Sequence, residues 1–438
     1  MLYRFSVENF RSFKDRNELS FIPSSPDAAH VADGDTTIPV LRSAVIYGAN
    51  ASGKSNLIKA MGFARNLILD NSLLSKSNNE SFRMNIDNKE RPSVFMFQIK
   101  VDGELYEYGF AVSFKKNVVM GEWLTLLRVG EETEIFSRDF NERTGKSKIE
   151  FNTDYQNGNA GRYETYKEDM ENSLGELTLS NLAQKRFEGD RFKNIIDSVY
   201  RWFVNLLILF PSNTINLIGA MAKDKEAVNR LYEQYYRFFD IDIDEIKLNK
   251  VSRSYIGVPD EIQAQMKVDL NRIGGDSICI LHGGSQDFMV KLDENGELEF
   301  SEIRFLHKSG DVEVAFAKEN ESDGTLRLFD LIPVIGKIIN EDRVLVVDEL
   351  DRSLHTILTR KIFEYFYRNS VNRKSQLICT THDIVLLDMS PISNDEIWFV
   401  DKKEKQSHLF PLSMYKLTDG DNDLVKKYLI GRFEAIPH

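Results

Sequence analysis

Alternating apolar and polar residues predict β-strands in the first third of the chain. Over residues 1–22 the alternation predicts two strands. The runs 94–99 and 105–112 are joined by Asp102-Gly103, a pair that favours a tight turn, so they predict a hairpin. A further hairpin region is predicted over residues 118–151.

The spacing of apolar residues then changes twice. Over residues 172–271 it is helical, which predicts a large helical insertion. After a group of strands predicted between 288 and 317, two continuous apolar runs follow, Val344–Val347 and Gln376–Thr380, with a helical pattern over 357–366 between them. Continuous apolar runs are typical of parallel strands buried on both faces, so this part predicts a parallel α/β core.

The first candidate chemistry lies between a short β-branched run and a helical pattern that begins at Leu57. The intervening sequence, Gly48-Ala49-Asn50-Ala51-Ser52-Gly53-Lys54-Ser55, is the phosphate-binding P-loop pattern in its strand–loop–helix context. Glycines let the backbone approach phosphate oxygens, and the N–H groups of the loop and helix supply partial positive charge. We predict that Lys54 binds the β- and γ-phosphates of ATP and that Ser55 ligates Mg²⁺. The predicted nucleotide-binding residues of this segment are Asn50, Ala51, Ser52, Gly53, Lys54, Ser55 and Asn56.

Two adjacent acids follow the apolar run Val344–Val347. Asp348 is predicted to bind Mg²⁺ directly or through water, and Glu349 to orient or deprotonate the attacking water. The alternative is a strand that ends on a solvated acidic turn, and the P-loop elsewhere in the chain favours the catalytic interpretation.

These motifs resemble those of ABC-type ATPases of the SMC, RecF and OLD group, especially the AAA15/AAA21-type ATP-binding proteins. The resemblance covers residues 1–69 and about 300–400, with about 290 residues between Lys54 and Asp348. Its further motifs are a signature-like Glu321–Arg327, a Walker B and D-loop segment Asp348–His355, a switch-histidine segment Thr380–Asp383, and an N-terminal element Asn9–Phe13.

The resemblance implies roles for residues outside the P-loop. Ser322 and Gly324 would cap the γ-phosphate bound to the P-loop of another subunit, so that ATP joins two chains. His382 would hydrogen-bond the γ-phosphate or the attacking water, although a capped strand-end histidine is the alternative. Arg11 and Ser12 would approach the nucleotide, and a surface salt bridge is the alternative role of Arg11.

The glutamine that senses Mg²⁺ in the family is either Gln98 or Gln184, and the sequence leaves that choice open. The fold class that follows is α/β: a P-loop NTPase of ABC-ATPase type with a mixed β N-terminal lobe and a large, mostly helical insertion. The predicted divisions are an N-terminal ATPase lobe with the P-loop (1–112), a β-hairpin and helical insertion (113–285), and a C-terminal ATPase lobe with the signature, Walker B and switch histidine (286–438).

Charge, apolar runs and cysteine content limit the partners and the cellular compartment that are expected for the chain. The net charge is −12, which argues against a broadly basic nucleic-acid-binding surface. The chain lacks a run of eighteen apolar residues, so no membrane span is expected. Cys279 and Cys379 lie far apart in apolar contexts, which is typical of reduced thiols and predicts a cytoplasmic protein.

The function predicted from these features is ATP hydrolysis with Mg²⁺ at composite sites in a homodimer or higher homo-oligomer. By resemblance, the chain is expected to be the sensor ATPase of a bacterial anti-phage system such as PARIS, in which a phage-derived trigger acts through it on a separately encoded toxic effector. The alternative is a DNA-repair or chromosome-maintenance ATPase of the RecF/SMC type that grips duplex DNA. Acids interrupt the basic residues of the insertion, so DNA contact stays open; those basic residues are Lys185, Arg186, Arg191, Lys193 and Arg201.

A nuclease centre within the chain is not expected. Only about 56 residues follow His382, too few for a further metal-dependent domain of the TOPRIM kind. The acids Asp419, Asp421 and Asp423 lie in a segment that reads as a polar turn.

Overall fold

A computed structural model describes the chain over residues 1–24, 29–32, 38–156, 159–185, 190–211, 232–233, 235–273, 278–283, 286–388, 391–415 and 423–435. Its strands, in chain order, are β1 (Leu2–Glu8), β2 (Asn17–Ser20), β3 (Ser43–Tyr47), β4 (Ser93–Val101), β5 (Glu104–Ser113), β6 (Val118–Arg128), β7 (Glu131–Asn141), β8 (Lys146–Phe151), β9 (Leu207–Leu209), β10 (Glu245–Val251), β11 (Ile278–Gly283), β12 (Gln286–Leu292), β13 (Leu298–Ser309), β14 (Val312–Ala317), β15 (Val344–Val347), β16 (Gln376–Thr380), β17 (Ile397–Lys403) and β18 (Gln406–Pro411). Its helices are α1 (Lys54–Leu69), α2 (Leu73–Lys76), α3 (Ala160–Glu171), α4 (Thr178–Gln184), α5 (Arg191–Asn205), α6 (Arg253–Ile256), α7 (Asp260–Ile273), α8 (Asp323–Glu341), α9 (Thr356–Asn369) and α10 (Leu424–Leu429).

The chain divides into two compact units. The first contains Met1–Pro211, Lys337–Asp351 and Ile362–His438, and the second contains Ser212–Gly336 and Arg352–Lys361. This division differs from the three segments expected from the sequence. In particular, the expected boundary after residue 112 falls within β5, a strand that is hydrogen-bonded to β6 in one sheet.

An antiparallel sheet of the order β2-β1-β4-β5-β6-β7-β8 forms one layer of the first unit. The strands predicted over 1–22, 94–112 and 118–151 are therefore confirmed. Alternating residues of these strands, such as Phe5 on β1 and Phe95 on β4, are fully buried. They share one hydrophobic core with Leu57 and Met61 of α1, so burial of these apolar faces fixes the helix that follows the P-loop.

The second sheet of this unit has the order β18-β17-β3-β16-β15-β9. All neighbouring pairs from β17 to β9 are parallel, and β18 adds an antiparallel edge. Every residue of β3, β15 and β16 is buried, as the continuous apolar runs predict. The parallel α/β core and the α/β P-loop fold class are confirmed.

The segment predicted to be a helical insertion is mixed in its described part. Helix α5 ends at Asn205, and Leu207–Leu209 instead forms β9, which pairs with β15. The carbonyl of Leu209 accepts a hydrogen bond from the backbone N–H of Asp348 at 2.8 Å. Satisfying the backbone groups at the edge of a buried sheet outweighs the helical spacing of the side chains. Residues 245–251, also inside the predicted helical block, form β10.

A buried carboxylate on β6 fixes the start of α4. Glu122 is 1% exposed and accepts backbone N–H groups from Thr178 at 2.6 Å and Leu179 at 2.9 Å. Burial raises the pKa of Glu122, and the nearby positive charge of Arg138, itself 1% exposed, opposes that rise. The first N–H groups of a helix have no acceptor within the helix, and Glu122 supplies one for each of these two. The same two bonds satisfy the buried carboxylate.

The second unit contains a separate sheet of the order β10-β13-β12-β11, and β14 also pairs with β13. Met266 and Leu270 of α7 pack against Val290 and Phe300 of this sheet. The start of α8 is held within this unit too, because Phe329 packs its ring 5.0 Å from that of Phe305.

The described helices include none with the length and apolar character that crossing a bilayer requires. Both cysteines are free thiols. Cys379 lies in β16, where burial raises the pKa of its thiol well above the usual value.

Candidate functional site

Three candidate segments follow neighbouring parallel strands of the first unit. The P-loop follows β3, Asp348 and Glu349 follow β15, and His382 lies just beyond β16. In the sheet, β16 lies between β3 and β15, so those two strands are roughly 10 Å apart. The structure therefore brings these segments to one edge of the sheet, where α/β proteins commonly bind ligands.

The P-loop has a backbone shape that requires glycine at Gly53. Its φ is 119°, in the region that disfavours other residues. A Cβ at this position would lie 2.1 Å from the Ser407 hydroxyl oxygen and 2.8 Å from that of Ser12. The loop tip at Asn50 and Ala51 is exposed, whereas the residues from Ser52 to Lys54 are buried.

Lys54 is held over the loop by backbone carbonyls. Its Nζ donates to the carbonyl of Gly48 at 2.7 Å and to that of Ala49 at 3.0 Å. Burial lowers the pKa of Lys54 to about 8, against the opposing effect of the acids, of which Asp348 is the largest. The ammonium group is thus placed within the loop and is easily deprotonated for a lysine.

The carboxylate of Asp348, which follows β15, contacts the segments that follow β3 and end β16. It is 2% exposed, and its Oδ1 accepts hydrogen bonds from the Ser55 hydroxyl at 3.1 Å and the Thr380 hydroxyl at 2.7 Å. Thr380 Oγ1 in turn accepts the backbone N–H of Glu349 at 2.8 Å. Ser55 and Asp348 present oxygen atoms only, which is the donor chemistry that Mg²⁺ prefers, so these residues fit the ion.

A buried hydroxyl in the P-loop also fits a phosphate ligand. Ser52 is 3% exposed, and within the described part of the chain its Oγ has no hydrogen-bond partner. An unpaired buried hydroxyl costs about 1–3 kcal/mol. A phosphate oxygen lying in the loop would supply the missing acceptor.

Glu349 follows Asp348 at the end of β15, and His382 lies beyond the end of the neighbouring strand β16. Glu349 has a φ of 53°, an uncommon conformation for a residue with a side chain and one that often occurs at functional positions. His382 is only partly shielded from solvent, and its backbone N–H donates to Asp351 Oδ2 at 3.1 Å. Partial burial and the positive charge of Lys54 lower the pKa of His382, which favours a neutral imidazole at pH 7.

The N-terminal element reaches the P-loop through Ser12. The side-chain amide of Asn56 donates to Ser12 Oγ at 2.8 Å. The side chain of Arg11 instead forms an ion pair with Glu80, with 3.0 Å between Nε and Oε2. The surface salt bridge considered for Arg11 is thus present, and its approach to nucleotide stays a prediction.

Ser407 is a site residue that the sequence did not indicate. It lies on β18, its hydroxyl is 2.8 Å from that of Ser12, and it also hydrogen-bonds the carbonyl of Ser52. Its backbone N–H donates to the carbonyl of Ser12 at 2.8 Å. Ser407 thereby ties the P-loop to the N-terminal element. It belongs to no recognisable motif, so only the fold reveals it.

The signature-like residues lie in the second unit, at the start of α8. The Ser322 hydroxyl accepts the backbone N–H of Thr325 at 3.1 Å, as a helix-capping serine does. A Cβ on Gly324 would lie 2.9 Å from the carbonyl oxygen of Ser353, so that position accommodates only glycine without movement. The exposed start of a helix favours anions.

Other candidate residues stay open or outside the site. Gln98 Nε2 donates to Glu107 at 2.9 Å, and Gln184 is exposed at the end of α4, so the choice between them is not decided. Asp423 accepts the backbone N–H of Lys426 and caps α10. Asp419 and Asp421 lie outside the described residues.

Comparison with known proteins identifies a family over most of the chain. Residues 43–388 match the AAA21 family model, described as "AAA domain, putative AbiEii toxin, Type IV TA system". This confirms the resemblance to AAA15/AAA21-type ATP-binding proteins. No protein of curated function matches the chain.

Among solved structures, the chain is similar to three SMC head domains. One is an SMC head bound to the C-winged helix domain of ScpA, with a TM-score of 0.41, 12% identity, and coverage of 93% of this chain and 96% of that one. Another is the head domain from Thermotoga maritima, with a TM-score of 0.36, 15% identity, and coverage of 95% and 99%. The third is a head domain with an extended coiled coil bound to the C-terminal domain of ScpA derived from Pyrococcus furiosus, with a TM-score of 0.35, 13% identity, and coverage of 98% and 100%.

The lowered pKa of Lys54 predicts a pH dependence of ATP affinity. Above about pH 8 the ligand-free lysine is neutral, and binding to phosphate must restore its proton. We expect the association constant to fall by up to about tenfold per pH unit above pH 8. Titrations between pH 7.5 and 9.5 measure this slope. In a Lys54→Arg variant the slope should disappear, because arginine stays charged; an equally flat wild-type profile would contradict the prediction.

Ser407 provides a second prediction. In Ser407→Ala the carbonyl of Ser52 loses its side-chain partner, and the Kd for ATP is expected to rise about tenfold. A fluorescent nucleotide measures the Kd, and the thermal midpoint shows whether the fold is kept. Ser413→Ala removes an exposed hydroxyl just beyond the same strand and serves as the matched control. Equal affinities in the two variants would refute the role given to Ser407.

Proposed function

We propose that this chain, which belongs to the AAA21 family described as "AAA domain, putative AbiEii toxin, Type IV TA system", binds ATP with Mg²⁺ at the P-loop of its first unit and hydrolyses it. The observation that carries the proposal is the convergence of Ser55, Asp348 and Thr380 at one carboxylate oxygen, beside the P-loop lysine. This arrangement combines a cradle for phosphate with an oxygen site for a cation.

The residues divide the chemistry between them. The N–H groups of the P-loop and the Lys54 ammonium hold the polyphosphate and stabilise negative charge as it develops. Ser55 and Asp348 would hold Mg²⁺, which, when bound, neutralises phosphate charge. Glu349 orients the attacking water and accepts its proton. His382, in its neutral form, hydrogen-bonds the γ-phosphate or the water.

The proposal extends to composite sites between subunits. Ser322 and Gly324 lie at the start of α8, and they make none of the hydrogen bonds described above around the P-loop. Such a start can bind the γ-phosphate held by a second copy, and ATP would then lie between two chains. A homodimer is the smallest assembly with this property.

We further propose a regulatory role for hydrolysis. The family description, a putative toxin of a toxin–antitoxin system, supports a chain that acts together with a second component. We propose that the effector is a separate protein and that a phage-derived trigger is the signal. Nucleotide-dependent assembly would bias the state that the effector recognises.

The structure gives less support to the duplex-DNA alternative. Lys185 lies 5.0 Å over the Tyr166 ring, Arg191 lies 4.2 Å over that of Tyr155, and Lys193 pairs with an acid on α5. These three basic side chains make contacts within the chain, whereas Arg201 is exposed. Arg186 lies outside the described residues.

Glu349→Gln tests the catalytic assignment. The variant keeps the size and shape of the side chain but loses its basicity, so turnover should slow by at least about a hundredfold while ATP still binds. Phosphate release and nucleotide binding measure the two effects. Glu294→Gln, the same change on an exposed turn, is the control and should hydrolyse at the wild-type rate. A Glu349→Gln rate equal to that of the control would remove Glu349 from the mechanism.

The composite site predicts complementation between two inactive chains. A Lys54→Ala chain keeps its Ser322, and a Ser322→Arg chain keeps its Lys54. A mixed dimer then contains one site with two intact halves. At equal concentrations about a quarter of the wild-type rate should return, because about half of the dimers are mixed and each has one site of two.

The mixing experiment needs proof that mixed dimers form. Differently tagged chains, purified through both tags in succession, supply it. If doubly tagged dimers form and remain inactive, each site is completed within one chain and the composite arrangement is wrong.

A further inference from the structure

Strand β14 in the second unit presents an apolar edge to solvent. Val312, Val314 and Phe316 are 61%, 41% and 39% exposed, and they alternate along the strand. In the part of the chain that the structure describes, β14 pairs with β13 alone, so its other edge has no strand beside it.

This edge lacks the features that normally protect an exposed strand. The sequence Val-Glu-Val-Ala-Phe-Ala contains no proline, lysine or glycine and a single charge. That charge, Glu313, is already paired with Lys247 at 2.8 Å. An unprotected strand of this composition is a template for strand addition unless a partner covers it.

The hairpin geometry shows which backbone groups are open. Ser309 and Val312 flank the two-residue turn and are paired across it. Residues that flank such a turn form a hydrogen-bonded pair, and such pairs alternate with non-hydrogen-bonded pairs along the ladder. The N–H and C=O groups of Val314 therefore point to β13, and those of Glu313 and Ala315 point to the open edge.

We propose that the open edge of β14 pairs antiparallel with β14 of a second copy of this chain, with the two-fold axis at Val314. The five exposed residues run from Val312 to Phe316, so Val314 is their centre. In this register Val314 faces the partner's Val314, and Val312 faces the partner's Phe316. Glu313 faces the partner's Ala315, so no like charges meet.

Both the backbone hydrogen bonds and the packing of side chains favour this register. The open groups of Glu313 and Ala315 pair with those of the partner's Ala315 and Glu313. The valine and phenylalanine positions become non-hydrogen-bonded pairs, in which side chains approach most closely. A self-complementary strand of this kind forms an isologous contact.

The β14 contact is separate from the proposed ATP site, and the two contacts differ in whether they need nucleotide. The composite ATP site would join chains only in the presence of nucleotide. The β14 pair involves no residue of the P-loop or the signature segment, so it should form without nucleotide and survive Lys54→Ala.

Disulfide formation tests the register directly. In a Cys279→Ala background, Val314→Cys should cross-link two chains on mild oxidation without ATP, because a non-hydrogen-bonded pair has a Cα separation of about 4.5 Å. Val312→Cys is the matched control, on the same strand and more exposed. It should not cross-link, because two copies of position 312 would lie roughly 14 Å apart. Equal cross-linking of both variants, or of neither, would overturn the register.

A charge placed at the axis tests the dimer itself. Val314→Lys opposes two lysines across the axis and should convert the nucleotide-free dimer to monomer in analytical ultracentrifugation. Val129→Lys, at a turn position that is 89% exposed, should leave it intact. If the wild type is monomeric without nucleotide at high concentration, or if Val314→Lys stays dimeric, the proposal is wrong while the ATP-dependent contact can still stand.

Discussion

The buried carboxylate of Asp348 is the constraint on which the candidate site depends. It accepts hydrogen bonds from Ser55, 293 residues away in sequence, and from Thr380, and it is 2% exposed. A buried carboxylate without partners would cost several kcal/mol, so these contacts must form together with the fold. They form only because β16 lies between β3 and β15, which makes the order of the parallel sheet a requirement of the site.

Around this carboxylate the chain accepts conformations that are unfavourable in isolation. Ala51 and Glu349 have φ values of 61° and 53°, and the Lys54 ammonium is buried with its pKa lowered to about 8. Each costs free energy that the surrounding sheet must offset. The gain is a site arranged before ligand binds, in which charge and hydrogen-bond donors need little rearrangement.

In the second unit, the two surfaces proposed for assembly have a common physical basis. The start of α8 has N–H groups without partners within the helix, and among the described residues no strand lies beside the open edge of β14. In the proposed assembly, phosphate would bind the first set and a second β14 strand would pair with the second. Assembly of this protein would therefore use backbone groups that the single chain leaves open, one set with nucleotide and the other without it.

The sequence alone predicted the P-loop, the strand–acid pair at Asp348 and Glu349, and most strands, because each depends on local spacing and on residues adjacent in the chain. The helix predicted from periodicity at Leu207–Leu209 is wrong, because pairing with β15 makes this segment a strand. Only the tertiary structure revealed Ser407 as a contact of the P-loop and Thr380 as the link between Asp348 and Glu349. Both roles arise from strands distant in sequence that join one sheet: β16 lies beside β15, and β18 lies two places from β3. No local pattern of residues encodes which strands will meet.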